Sequence, residues 1–413
     1  MGKMWGPLLL SMAAAIVQGC SNFRLNYPGE FVSARTMDFS LDLNTLVEVV
    51  PRGTVVQELV VHHCPDCPDY AWTTKYGFVG MNIFGVDIAS DGLNEAGLSA
   101  AFLYLDGTVY PRANTSDPRP IITSYVSYFL GNFASVEDVK AHLDDVQFSD
   151  FDPRLATLFN PAAKEDLFPL HVIIHDAVGE SLVLEFLNGT LHTYSNDVLT
   201  NDPPLEQQLA AVQAHGDKPL PGSIGSTDRF IRLSLLNRHA ADPYHTNMSY
   251  SRATPDQGAV NLAFHIINSV TIQTGHQASG EATQWTVVRD HGRRVLYVTT
   301  NENLVVRRLD LSQLDFRVGT PRHALPVVYG QWFVDVTAAE VASSQRSIDL
   351  PPRSIVEKML NGSSTSPLFQ HVSTPLQGFV GGAVAGLLCA LAIGMAALYF
   401  LLPRRPVGYR PLP

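Results

Sequence analysis

Residues 16–25, IVQGCSNFRL, place a lone cysteine, Cys20, at the exit of an apolar leader. MGK supplies a positively charged start, PLLLSMAAAIV an apolar stretch, and Val17 with Gly19 the small residues preferred before a secretory cleavage site. Residues 1–19 therefore read as a signal peptide, and Cys20 as the first residue of the mature chain. At that position a cysteine can be a buried thiol, a disulfide partner, a lipid anchor or a nucleophile. VQGC is near a lipoprotein processing pattern, but Gln18 fits that pattern poorly. As a new amino terminus, Cys20 would carry a thiol and an α-amine, whose ordinary pKa of about 7.7–8.0 suits it to serve as that thiol's base.

The carboxyl end adds a second topological signal. Phe379 to Leu402 is a 24-residue run without a charge, longer than the ~20 residues needed to cross a bilayer. Arg404 and Arg405 follow at once and favour a cytoplasmic tail over residues 403–413. The reading is a single-pass type I membrane protein with its body lumenal or extracellular. Four N-x-S/T triplets, at Asn114, Asn188, Asn247 and Asn361, lie between leader and span as candidate glycosylation sites. Gly382 and Gly386 form a GxxxG pair suited to packing two such helices as a homodimer. Residues 336–378, with Pro351, Pro352 and NGSSTSP, read as a stalk. A net charge of −11 and the lack of a basic tract argue against a nucleic-acid partner.

Between leader and stalk, residues 20–335 read as one domain. Short runs rich in β-branched and aromatic residues, FVSARTMDF, LVEVVPRGTVVQELVV, YGFVGMNIFGVDI and GLSAAFLYL, predict strands. TSYVSYFLGNFASVEDVKAHLDDV has helical spacing, with Ser135 and Asp138 as the cap of a second helix. Strands return in LHVIIHDAVGESLVLEFLNGTLHTYS, helices near DRFIRLSLLNRHA and GAVNLAFHIINSV, and strands again in TQWTVVRDHGRRVLYVTTNENLVVRRLDL. That order fits two stacked sheets between helical layers.

The four cysteines are Cys20, Cys64, Cys67 and Cys389, the last within the apolar run. HHCPDCP places Cys64 and Cys67 after His62 and His63. A disulfide suits an oxidising compartment; a zinc site is the alternative, and a single Cys-x-x-Cys is weak support for it.

CSNFRL followed by GEFVSARTMDFS resembles the start of the choloylglycine hydrolase and penicillin V acylase family, N-terminal-nucleophile hydrolases of linear amides. DGLNEAGLSAAFLYL, GNFASVEDVKAHL, VLTNDP, STDRFIRL and QWTVVRD with VLYVTTNEN are similar to later family motifs, in the family's order. The resemblance covers roughly residues 20 to 320 and implies an αββα sandwich. It also implies roles. Cys20 matches the nucleophile, Arg35 the arginine beside its sulfur, and Asp38 the carboxylate holding the α-amine. Asn201 matches an oxyanion-hole amide and Arg229 the buttressing arginine. Tyr104 falls where the family has Asn or Tyr, its backbone N–H being the second oxyanion donor. No metal or organic cofactor is implied, and the substrate would be a small amide, amphiphilic if met at a bilayer. The stretch between Asn201 and Arg229 is shorter than in many bacterial relatives, which argues against a tetramer. The competing reading is a non-catalytic surface glycoprotein that binds a lipid or a partner with the same fold.

Overall fold

The computed structural model describes residues 19–40, 42–58, 64, 67–68, 70–83, 88–150, 168–240, 253–275 and 280–338. Most of the leader, His62, His63, Asn247, Asn361, nearly all of the stalk and the apolar run 379–402 lie outside them. Among the described residues no helix is long and apolar enough to cross a membrane.

Two antiparallel sheets organise the chain. The first has six strands, in spatial order Val198–Leu199, Ser21–Arg24, Val32–Phe39, Ala282–Asp290, Val295–Thr300 and Arg307–Asp310. The second has eight: Thr190–Tyr194, Ser181–Leu187, Leu170–His175, Ser99–Tyr104, Ala89–Asn94, Phe78–Asn82, Leu46–Val50 and His323–Pro326. The amino-terminal strand is thus interior, flanked by Val32–Phe39 and Val198–Leu199.

Alternation along the strands sorts residues between layers. On Leu170–His175, Ile173 joins the larger core, while Val172 and Ile174 join a second core with Tyr125, Phe129 and Leu130. Those three belong to the helix Tyr125–Asn132, which lies on the outer face of the eight-stranded sheet. Burying each large apolar side chain there contributes about 1.5–3 kcal/mol. Helices Ser226–Arg238 and Pro255–Asn268 cover the outer face of the six-stranded sheet. The layers are helix, sheet, sheet, helix.

Local chemistry fixes the ends of these elements. Ser135 Oγ accepts from the Asp138 N–H at 3.1 Å, the cap expected from the sequence. Glu58 gathers the polar groups ahead of Tyr125–Asn132: it accepts from the N–H groups of Thr123 and Ser124 at 2.7 and 2.8 Å, and from Trp72 Nε1 at 2.5 Å. Asn188 and Gly189, both at positive φ (52° and 76°), make the tight turn between Ser181–Leu187 and Thr190–Tyr194. One helix, Leu205–His215, was not anticipated; only Leu205 and Gln208 on it are buried, so its sequence carries little apolar periodicity. Cys64 and Cys67 form a disulfide, with 5.3 Å between their Cα atoms. A zinc site built on these two cysteines therefore loses both thiolates.

Candidate active site

The strand Val32–Phe39 carries two sets of side chains, one per face. Register pairs it with Asn22 at Arg35 and with Ser21 at Thr36, so Cys20, one residue earlier, lies by Met37. Cys20 is 4% exposed, and its Sγ lies 3.8 Å from Met37 Sδ and 3.6 Å from Arg35 Nη2. Arg35 and Met37 face the second sheet. Arg35 spans the gap, donating to Phe102 O at 2.7 Å and Ser90 O at 3.2 Å. Its guanidinium lies 5.0 Å over the ring of Trp285 and 3.4 Å from Asp91. Asp91 in turn pairs with Arg289, which donates to it through Nε at 2.9 Å and more closely through Nη2. All three side chains are completely buried.

Asp38 points the other way, toward the helical layer. A register shift between Thr283 and Trp285 inserts Gln284 as an extra residue, so Thr283 pairs with Asp38 while Trp285 pairs with Met37. This bulge brings Thr283 Oγ1 within 2.5 Å of Asp38 Oδ1 while Trp285 stays under Arg35. Thr36 donates to the other oxygen at 3.2 Å. Burial still dominates and raises the Asp38 pKa to about 6, against the opposing pull of Arg229 and these hydrogen bonds. Burial likewise pushes the Cys20 thiol up, with Arg35 the largest opposing influence. With Gly19 attached, the Cys20 nitrogen is an amide, and the sulfur sits in a protonated-thiol environment.

Arg229 joins the remaining parts. From the helix Ser226–Arg238 it donates to Cys20 O at 2.5 Å, Ser21 Oγ at 2.6 Å and Asn201 Oδ1 at 3.0 Å. That orients the Asn201 amide so that Nδ2 donates to Tyr104 O at 2.9 Å. An amide has two donors, so one remains to be aimed. In an antiparallel strand a residue's N–H and C=O point to the same side, so the Tyr104 N–H shares the edge that Asn201 faces. Gln208 fixes the loop itself, donating to Asn201 O and Pro203 O at 2.6 Å each and accepting from Thr200 Oγ1 at 3.0 Å. Burial, then Asp106 and Asp202, raises the Tyr104 phenol to about 12, so it stays neutral.

All six residues drawn from the resemblance thus converge on one place. Sequence reading missed Met37, Thr283, Asp91, Arg289, Trp285 and Gln208. Alternation from Arg35 points to Met37, but the others depend on cross-strand register, a bulge and a helix that the pattern did not show. Beside the thiol is a small recess lined by Met37, Phe39, Leu43, Ile83, Phe102, Tyr104, Phe168 and Leu170. A polar hollow of about 530 Å³, with Asp42, Asn44, Gln284, Asn301 and Glu302 on its lining, shares Phe39 with that recess. Among the described residues no group of acidic, histidine and cysteine side chains could hold a metal ion. Asn114 and Asn188 are exposed.

The family model for linear amide C–N hydrolases of the choloylglycine hydrolase family matches residues 20–216 and 206–322. Penicillin V acylase of Pectobacterium atrosepticum is 26% identical over 340 residues, covering 74% of this chain and 85% of that protein. The bile salt hydrolase/transferase of Clostridium perfringens is 27% identical over 323 residues, covering 69% and 90%. Among solved structures, penicillin V acylase from Agrobacterium tumefaciens superposes with a TM-score of 0.61 at 26% identity, over 74% of this chain and 91% of its own. With a match spanning most of its length and this arrangement of buried groups around a thiol, the chain belongs to the choloylglycine hydrolase family of linear amide C–N hydrolases.

Proposed function

We propose that the mature protein cleaves linear amides through an acyl-thioester on Cys20, exposed as the amino-terminal residue by removal of residues 1–19. The observation that carries this is the convergence on buried Cys20 of Arg35, which reaches its sulfur, and Arg229, which reaches its carbonyl oxygen and holds Asn201, with Asp38 behind. A non-catalytic binder has no need for so many buried charges around a thiol, each costly to desolvate.

The freed α-amine takes the Cys20 thiol proton as the sulfur attacks the amide carbonyl carbon. Asn201 Nδ2 and the Tyr104 N–H hold the resulting oxyanion. The amine passes its proton to the leaving nitrogen, the C–N bond breaks, and an acyl-thioester remains. Water, deprotonated by the same amine, then attacks the thioester and releases the acid. Arg35 favours the thiolate throughout, and Asp38 holds the ammonium. The apolar recess takes the acyl group and the polar hollow beyond Phe39 suits the amine part, which favours amphiphilic amides. Among the relatives, one acts on penicillin V and another on bile salts. The apolar run 379–402 would tether this body to a membrane, with residues 20–335 lumenal or extracellular.

The test is the amino-terminal residue of the mature protein by terminal-peptide mass spectrometry, with turnover of penicillin V and conjugated bile salts by wild type and Cys20→Ala. A free Cys20 and loss of turnover in the variant are expected. Retained turnover in Cys20→Ala would falsify the assignment.

A further inference from the structure

Gly19, the residue before the nucleophile, is buried, and the space around it is already claimed. A Cβ at position 19 would lie 2.5 Å from Glu281 Oε1, 2.9 Å from Ile272 Cδ1 and 3.2 Å from Arg229 Nη2. Glu281 opens the strand Ala282–Asp290 one residue before its first member and is completely buried. A carboxylate and a guanidinium thus press on the same glycine from the strand and from the helical layer.

Removal of residues 1–19 would change the charge at this spot. A neutral amide becomes an amine that is cationic when protonated, inside a region that excludes water. A buried ammonium needs acceptors for three donors and a counter-charge. Asp38 supplies one carboxylate, but two of its acceptor positions are taken by Thr36 and Thr283. Among the described residues, the other charged groups around the amine are Arg35 on the strand Val32–Phe39, Arg229 on the helix Ser226–Arg238, and the Cys20 thiol itself. Arg232, further along that helix, is occupied by the carbonyls of Pro221, Ser223 and Ser269. The Ile272 segment faces the spot with an apolar side chain. Two buried cations beside a third would be unfavourable with Asp38 alone to oppose them, since Asp91 is engaged with Arg35 and Arg289.

We propose that Glu281 is a positioning residue of the mature site, a second carboxylate that occupies the surroundings vacated by Gly19 and, with Asp38 from the neighbouring strand, clamps the Cys20 α-ammonium. It holds the base in place and raises its basicity. The proposal rests on the reading that Cys20 becomes the amino terminus.

The experiment follows the amine directly, without needing the natural substrate. Full-length wild type and Glu281→Gln are treated with cyanate across a pH range, and carbamylation of the amino-terminal peptide is quantified by mass spectrometry. The expected result is a free Cys20 in both and a titration midpoint lower by about one pH unit in the variant, since a nearby opposite charge favours the protonated amine. Coincident midpoints, with Cys20 free in both, overturn the role of Glu281 and leave the nucleophile assignment standing. A wild type that does not begin at Cys20 sinks the parent reading, and this one with it. A variant that keeps its leader while wild type loses it places Glu281 in maturation and overturns the clamp. If Glu281→Gln does not fold, Glu281→Asp withdraws the same charge by one methylene. It should show a smaller shift in the same direction, and a midpoint equal to wild type overturns the proposal.

Discussion

Asp91 is the hinge of the buried charge network, and Asp91→Asn is the substitution with the sharpest consequence. Asp91 stands between two guanidiniums, Arg289 and Arg35, with all three side chains fully buried. Asparagine keeps the shape and one acceptor but removes the charge, and its amide turns donors toward donors. Arg35 retains Phe102 O, Ser90 O and the Trp285 face, and Arg289 retains Ser33 Oγ at 2.8 Å. Neither retains a carboxylate in contact among the described residues. Breaking a buried pair from one side costs about 3–5 kcal/mol, which for a body of this size corresponds to a fall in Tm of roughly 5–15 °C. Thermal and urea unfolding followed by circular dichroism read this directly. Replacing Arg289 with Met in the same background removes one of the two uncompensated cations and should restore part of the loss. A single variant within about 1 kcal/mol of wild type, or a double variant no more stable than the single one, refutes the view that Asp91 neutralises both arginines. In the folded fraction, kcat should fall too, because Arg35 then reaches the sulfur from a looser anchor.

Asn201→Ala removes the aimed amide and should lower kcat about 10²–10³-fold with a much smaller change in KM; a loss under about fivefold would remove Asn201 from the oxyanion site. Acid should destabilise the fold through two buried histidines. Burial, as the largest cause, depresses His291 to about 3 and His175 well below its ordinary value, whereas unfolded imidazoles titrate near 6.5. The unfolded chain therefore binds protons that the folded chain refuses, so this stabilisation is complete above about pH 6.5 and is lost as pH falls toward 3. Asp38, raised to about 6, acts in the opposite sense: its contribution is present below about 3.8 and is lost as pH rises through 6. The two histidines therefore lose stability between pH 7 and 4.5, and Asp38, with Asp202 and Asp290, whose carboxyls burial also raises, offsets part of that loss. Urea midpoints across that range measure it, and a midpoint at pH 4.5 equal to or above that at pH 7 contradicts it.

What the sequence made legible follows from what each feature depends on. The strands around Arg35, Ile173 and Val287 show as local runs of β-branched residues, and Ser135 announces its helix because a cap is a short-range device. Asn188–Gly189 marks its turn because few residue pairs accept positive φ twice. The site residues became readable through an ordered set of motifs rather than through spacing: Cys20, Asn201 and Arg229 meet only because an interior amino-terminal strand lies beside Val198–Leu199 and under a helix. Thr283 was illegible because its role needs the bulge at Gln284, and a one-residue slip in register reverses every face. Asp91 and Arg289 lie on different sheets, so no periodicity within either strand relates them. The helix Leu205–His215 leaves Leu209, Ala210 and Ala214 exposed while burying the polar Gln208, so its apolar residues mark no single face, and its main service is Gln208 beneath Asn201.

The two raised pKa values at the centre share a physical origin that bears on when the site becomes active. With Gly19 attached, both the Cys20 thiol and the Asp38 carboxyl are pushed toward their neutral forms by burial, and the Asp38 charge raises the thiol further. Arg35 and Arg229 oppose this without overcoming it. What would tip the balance is a further cation beside the sulfur, and the proposed maturation supplies one: an ammonium held by Asp38 lowers the carboxyl's pKa and stabilises the thiolate together. The opposing contribution of Asp38 to acid stability should then shrink in the mature chain, so its urea midpoint should fall more steeply toward pH 4.5 than that of a chain retaining residues 1–19. Identical slopes in the two forms would mean that no ammonium reaches Asp38, and the self-contained base would lose its electrostatic support.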